Sequence, residues 1–226
     1  MYQAPVIASE PTGPAVSITV ENLREEKKGG KELSLIGNER GSYGIPTGVN
    51  SGAKKTLHAD AVMAAFAADC LQAAGYKATA TADPANARLH IKLATLWSEM
   101  IPIPMAPRYE TWIKATFQLT PAGGTAPAWE KELSANGGTT TIILRFNDPI
   151  EAGFLRSFDE LGTVFLNEIA SDAFQTALPG GNKDAALAAI LTLGKEYRED
   201  KKAEKKAGKK AEKEAEKVEE KVEEKI

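Results

Sequence analysis

The sequence predicts an α+β fold: an antiparallel or mixed sheet covered by two amphipathic helices and followed by a charged, helical C-terminal extension. Three observations carry this. Apolar and polar residues alternate over Val16–Val20, Arg88–Trp97 and Tyr109–Leu119, the period of a strand with one buried face. Apolar residues recur at steps of three and four over residues 59–74 and 154–173, the period of a helix with one buried side. Beyond Lys195 large apolar residues nearly vanish and Lys, Glu and Ala take over. The chain therefore divides into an extended lead-in at residues 1–15, an α+β domain at 16–180 and a Lys/Glu/Ala-rich extension at 181–226.

Taken in order, Pro5, Pro11 and Pro14 keep the lead-in extended, and Val16, Ile18 and Val20 open the first strand. Residues 21–31 are charged and end in Gly29-Gly30, so they leave the core, and Leu33–Ile36 form a short second strand. Residues 37–48 are rich in turn formers and predict a hairpin or exposed loop, with Arg40 and Tyr43 as candidate contact residues. They hold neither a dinucleotide fingerprint nor a phosphate-cradling Gly-Lys-Ser/Thr ending. The first helix places Val62, Phe66 and Cys70 on one side, widened by Met63 and Leu71, with Asp60 in its first turn and Gly75 as its stop. Tyr76–Ala82 is a further strand, closed by the Asp83-Pro84 turn.

In the next strand Leu89, Ile91, Leu93 and Trp97 share one face and His90 and Lys92 the other. Three prolines within Met100–Pro107 interrupt the ladder. Tyr109, Thr111, Ile113, Ala115, Phe117 and Leu119 then face one way, with Glu110, Trp112, Lys114 and Gln118 opposed. Trp129–Ala135 returns antiparallel, Asn136-Gly137-Gly138 breaks or bulges that strand, and Thr139–Phe146 extends it. After Asp148-Pro149, a cap followed by a first-turn proline, the stripe Phe154, Phe158, Leu161, Phe165, Ile169 and Ala173 covers the sheet. Pro179-Gly180-Gly181-Asn182 closes the domain, and Asp184 caps a last helix through Leu193.

Charge and motif content narrow the function. Residues 195–226 carry a net +1 against −3 for the whole chain, so residues 1–194 carry −4. Neither part has the one-signed field of a dedicated nucleic-acid binder, and no specific nucleic-acid partner is expected. Cys70 is the single cysteine, which excludes an internal disulfide and a thiolate metal cluster. Lysines recur every four residues from Lys201 to Lys225, a row that drifts about 40° per step around a helix and makes a poor coiled coil. His58 and His90 stand outside any closely spaced ligand motif, and Ser42, Ser98 and Ser157 lack a nucleophile-elbow context. Glu130 and Glu132 share a strand face, a spacing that fits solvated sheet as well as chemistry. No catalytic, cofactor-binding or metal-binding residue is assigned. Trp97, Trp112 and Trp129 either line a groove for a partner or lipid or pack the core, and Trp97 and Trp112 join Arg40 and Tyr43 as candidate contacts.

Several of these segments together resemble the YajG-like bacterial envelope lipoproteins. The resemblance rests on the Val16-Ser17-Ile18-Thr19-Val20 strand, the Gly/Asn-rich loop through Tyr43-Gly44, and the helix ending Leu71-Gln72-Ala73-Ala74-Gly75-Tyr76. It continues through Ala87-Arg88-Leu89-His90-Ile91, the Tyr109–Leu119 strand, the Trp129 return strand and the last stripe helix, covering roughly Val16 to Leu178. The resemblance implies a noncatalytic cell-envelope protein with a protein- or lipid-binding domain, facing the periplasm and associated with the outer membrane. A related alternative is an auxiliary component of an envelope lipid-transport system. A third, of a different class, is a small-molecule-binding or hydrolytic domain whose site forms only in the fold. The sequence departs from the family in its charged extension and in showing no N-terminal lipidated cysteine, so membrane attachment is expected only through a lipidated segment preceding it. Without an export signal the alternative location is the cytoplasm.

Overall fold

The computed structural model describes residues 10–25, 35–40, 46–50, 58–79, 86–101, 108–140 and 149–193. Among them, seven strands form one mixed sheet: β1 (Ala15–Asn22), β2 (Leu35–Arg40), β3 (Pro46–Asn50), β4 (Lys77–Thr79), β5 (Ala87–Ile101), β6 (Arg108–Thr120) and β7 (Trp129–Thr140). Helix α1 (Ala59–Ala73) crosses between β3 and β4, and α2 (Pro149–Ala170) and α3 (Asp172–Ala177) follow β7. A further helix, α4, occupies residues 183–193.

The long strand β5 organises the sheet. Along one edge it pairs antiparallel with β6, which in turn pairs antiparallel with β7. Its other edge is shared end to end by two parallel partners, β1 over Ala87–Leu93 and β2 at Ser98–Glu99. β4 lies outside β1, parallel to it, and β3 folds back on β2 as the antiparallel arm of a hairpin. The gap between β1 and β2 is filled by Arg24, 5% exposed, whose guanidinium donates to Asn22 Oδ1 at 2.8 Å and Leu35 O at 2.8 Å. Burial pushes that guanidinium down from its ordinary value, and the nearby Asp60 carboxylate pulls it back up.

One face of the sheet is covered by helices. α1 lies over β1 and β4 and α2 over β6 and β7; they meet where Phe66 approaches Phe158 and Phe165, with ring centroids 5.3 and 6.4 Å apart. Under them pack Leu89, Ile91 and Leu93 of β5 and Ile113, Phe117 and Leu119 of β6. The α1 stop is a Schellman motif: the Tyr76 amide donates to Leu71 O and the Gly75 amide to Gln72 O, with Gly75 at φ 86°. Cys70 is fully buried in the same core.

Four sequence expectations are corrected by the tertiary structure. Trp97 does not share a face with Leu89, Ile91 and Leu93. The β5–β6 register passes from Leu93↔Ala115 to Thr95↔Lys114, so Ala94 is an extra, bulged residue. Beyond it Leu96 and Ser98 face the helices and Trp97 turns to the other side. Second, Asn136-Gly137-Gly138 neither breaks nor bulges β7, which runs in unbroken register against Arg108–Leu119. Gly137 instead lets α2 sit directly on the strand, since a Cβ there would meet Gly153 O and lie 2.6 Å from Ser157 Oγ. Third, the helical stripe ends at Ile169. Ser171 accepts from the Phe174 amide and starts α3, which exposes Ala173 and buries Phe174 against Tyr76 and Trp129. Fourth, Asn182 rather than Asp184 caps α4, accepting from the Ala185 amide at 2.9 Å.

The packed body also runs on past residue 180. Ala186, Ala189 and Leu193 of α4 are part of the core, and the Asn182 amide donates to Ala74 O at 2.9 Å. The lead-in is held as well, where the Gly13 amide donates to Gly75 O at 2.8 Å. Thr139 and Thr140 extend β7 as expected, while 141–148, the 80–85 turn, the proline-rich 102–107 and the charged segment 194–226 lie outside the described residues.

Candidate functional site

Because every second residue of a strand points away from the helices, the sheet has a second face, and its cross-strand rows follow from the register. The Ala94 bulge brings Trp97 directly opposite Trp112, which in turn pairs with Asn136. The row on one side is Thr95, Lys114 and Ser134; on the other Glu99 stands opposite Glu110. All of these but Glu110 line a groove of about 570 Å³, closed at the β7 edge by Glu160 of α2. Trp97 is 3% exposed and forms its floor, whereas Trp112 is partly exposed.

α2 shapes the groove's rim as well as covering the opposite face. Glu160 Oε2 accepts from the Asn136 amide at 3.1 Å, and Arg156 Nη1 donates to Gly138 O at 2.9 Å. Both satisfy groups on the free edge of β7, an edge that would otherwise present unpaired donors and acceptors. Beneath them Thr111 Oγ1 donates to Ser98 Oγ at 3.0 Å, and Ser157 Oγ lies 3.0 Å from Gly153 O. These hydroxyls are buried and committed to the helix–sheet contact.

Of the charges around the groove, Lys114 pairs with Glu132 at 3.0 Å and Arg108 with Glu110 at 3.0 Å. Glu99 makes no ion pair among the described residues. Like charges directly opposite each other on neighbouring strands are unfavourable, and the Glu99–Glu110 pair is placed that way beside the two indoles.

No family model matches the chain, and no curated protein matches it. Among solved structures, protein XCC0632 from Xanthomonas campestris, a DUF330 protein, is similar at a TM-score of 0.44 and 10% identity, over 72% of this chain and 87% of that one. Lipoprotein GNA1162 from Neisseria meningitidis is similar at a TM-score of 0.35 and 14% identity, over 70% of this chain and 98% of that one. Both are bacterial and the second is a lipoprotein; neither carries the YajG-like name. With scores this low, the functional reading rests on this chain's own residues.

The four candidate contact residues fare differently. Trp97 and Trp112 are brought side by side in the groove. Arg40 ends β2 opposite Pro46, two residues beyond Asn38, which pairs with Glu99, so the β2 backbone runs past the Glu99 end of the groove. Tyr43 lies outside the described residues. Trp129 is on the helix-covered face, its ring 4.9 Å from Phe174, and takes no part in the groove. Sequence reasoning missed Thr95, Glu99, Ser134, Asn136 and Glu160. Alternation placed Trp112 and Lys114 together on the open face of β6, but the β5 residues opposite them are known only once the bulge is.

His90 is the other feature on this face. Its Nδ1 is 3.0 Å from Thr19 Oγ1 and its Nε2 is 3.2 Å from Glu21 Oε2. A hydroxyl, an imidazole and a carboxylate are thus in line. They are neighbours across the β1–β5 pair, with side chains 36% and 48% exposed for His90 and Glu21, and they are not among the groove residues. Among the described residues no cluster of His, Cys, Asp and Glu has the geometry to hold a metal, and no helix is long and apolar enough to cross a membrane.

Proposed function

We propose that this chain is a noncatalytic protein of the bacterial cell envelope whose domain binds a protein or lipid partner through the open face of its sheet. The observation that carries the binding reading is the Trp97–Trp112 pair in the groove. An open sheet face in water is expected to be polar, as it is at Lys92, Gln118 and Glu130; a partly exposed indole there, Trp112, beside the buried Trp97, is of the kind that anchors interfaces. The envelope setting, on the periplasmic side and associated with the outer membrane, rests on the sequence resemblance. An auxiliary role in envelope lipid transport is the narrower form of the same reading.

The Thr19–His90–Glu21 array is the one observation that favours a hydrolytic alternative. Against it stands its setting: the three side chains are neighbours across an exposed strand pair, with His90 and Glu21 36% and 48% exposed, and none of them lines the groove.

The test is affinity recovery from the native cell envelope with three baits: the full chain, the chain lacking residues 194–226, and full-length Trp112→Glu. Recovery of one partner by the first two and its loss with the third supports the proposal. Loss of every partner with the shortened chain moves recognition to the extension, and undiminished recovery by Trp112→Glu removes the groove from it.

A further inference from the structure

The groove's charge selects among partners. Its indoles have electron-rich faces, which attract organic cations. Beside them Glu99 is without an ion pair among the described residues and stands opposite Glu110, and Glu160 closes the rim. The one lysine of the lining, Lys114, is engaged by Glu132 at 3.0 Å. A phospholipid's phosphate would lie close to Glu99 and Glu160, and the lining's one lysine, Lys114, is already paired among the described residues. An acyl chain would leave the hydroxyls of Thr95 and Ser134 and the side-chain amide of Asn136 facing hydrocarbon. A polypeptide segment carrying a basic side chain meets both demands, since its cation complements the carboxylate and its backbone amides suit the polar lining.

Resting on the reading of the groove as the binding face, we propose that it accepts a lysine or arginine side chain from an extended segment of a partner protein. The cation lies against Trp112, with Trp97 as that residue's neighbour across the strand pair, and it pairs with Glu99. Glu110 already has Arg108 at 3.0 Å, whereas Glu99 has no ion pair among the described residues, and the arriving cation supplies Glu99 with one.

The test uses the full chain labelled with nitrogen-15, whose three indole N–H signals are assigned with Trp→Phe variants at positions 97, 112 and 129. The probes are acetylated, amidated peptides of alternating serine and lysine, the same peptide with uncharged norleucine for lysine, and vesicles of phosphatidylethanolamine. The proposal expects the lysine peptide to shift the Trp112 signal saturably and leave Trp129 in place. Glu99→Gln, which keeps the side chain's size, weakens that binding roughly threefold to tenfold. Glu130→Gln, on the same face away from the groove, leaves it unchanged, which excludes general attraction of a polycation. Equal weakening by both variants overturns the proposal. So does binding of the norleucine peptide or the vesicles without binding of the lysine peptide, an outcome that leaves the groove as a binding face. Absence of any indole shift with every probe overturns the groove reading as well.

Discussion

Two adjacent glycines in β7 have opposite expected responses to the same substitution. Gly→Ala in a strand ordinarily gains about 0.5–1 kcal/mol, because alanine loses less backbone freedom on folding. At Gly138 a new Cβ would have its nearest neighbour at 3.6 Å, the end of the Arg108 side chain, which is ordinary contact. Gly138→Ala is therefore expected to stabilise by about that amount. At Gly137 the same methyl would meet Gly153 O and lie 2.6 Å from Ser157 Oγ and 2.9 Å from Ser157 N. Two of those three atoms belong to the backbone of α2, so relief requires the helix to move off the sheet. Overpacking of that kind costs about 1–3 kcal/mol. Displacing α2 also strains the Glu160–Asn136 and Arg156–Gly138 hydrogen bonds, worth about 1 kcal/mol each. The cost exceeds the entropic gain, and Gly137→Ala is expected to destabilise by about 2 kcal/mol. Gly153→Ala tests the contact from the helix side. Helix propensity alone favours alanine there by about 1 kcal/mol, but the methyl would strike Thr111 Oγ1, and the net sign is again a loss. Equilibrium urea unfolding of the three variants, with unchanged denaturant slopes, measures each difference. A Gly137→Ala protein as stable as Gly138→Ala would refute the idea that these glycines exist for the close approach of α2.

Two further outcomes follow from the core. Phe158 is 4% exposed and its ring lies 5.3 Å from Phe66 at the junction of α1 and α2, so Phe158→Ala is expected to lose about 3–5 kcal/mol in the same unfolding assay, and a loss below about 1 kcal/mol would contradict that packing. The fully buried Tyr76 hydroxyl donates to Leu178 O at 2.9 Å and accepts from Gln175 Nε2 at 3.1 Å, so Tyr76→Phe is expected to cost about 1–2 kcal/mol at neutral pH. Burial raises that phenol above its ordinary 10.0. The folded state thus holds the proton more tightly than the unfolded one, and the associated stability, whole below pH 10, declines as pH climbs through the folded-state value. Urea midpoints compared at about pH 8 and pH 11 should fall further for the parent chain than for Tyr76→Phe; equal falls would show that Tyr76 is not the group responsible.

Much of this fold is local in origin and legible in the sequence. Alternation placed every residue of β6 on its correct face, from Tyr109 through Leu119, and the three-and-four spacing found Phe158, Leu161, Phe165 and Ile169. Gly75 marked the end of α1 because the helix stop needs a positive φ there. These features depend on a residue's own backbone geometry and its near neighbours, which a linear pattern records.

The groove was only half legible for a matching reason. The period within β6 places Trp112 on the open face, whereas the same rule applied across Ala94 puts Trp97 on the face of Leu89, Ile91 and Leu93, although both indoles stand as candidate contacts. A bulge is fixed by how β5 registers on β6, two segments brought together by the fold, and one unpaired residue reverses the face of everything after it. The same dependence on distant partners explains Gly137, whose value lies in Gly153 on α2, and α4, whose alanines became core only because Asn182 anchors that helix to Ala74. The sequence by itself determined which segments are strands and helices and which side of each is apolar. Only the tertiary structure decided which sides meet, and with that the placing of the two indoles beside the Glu99 carboxylate.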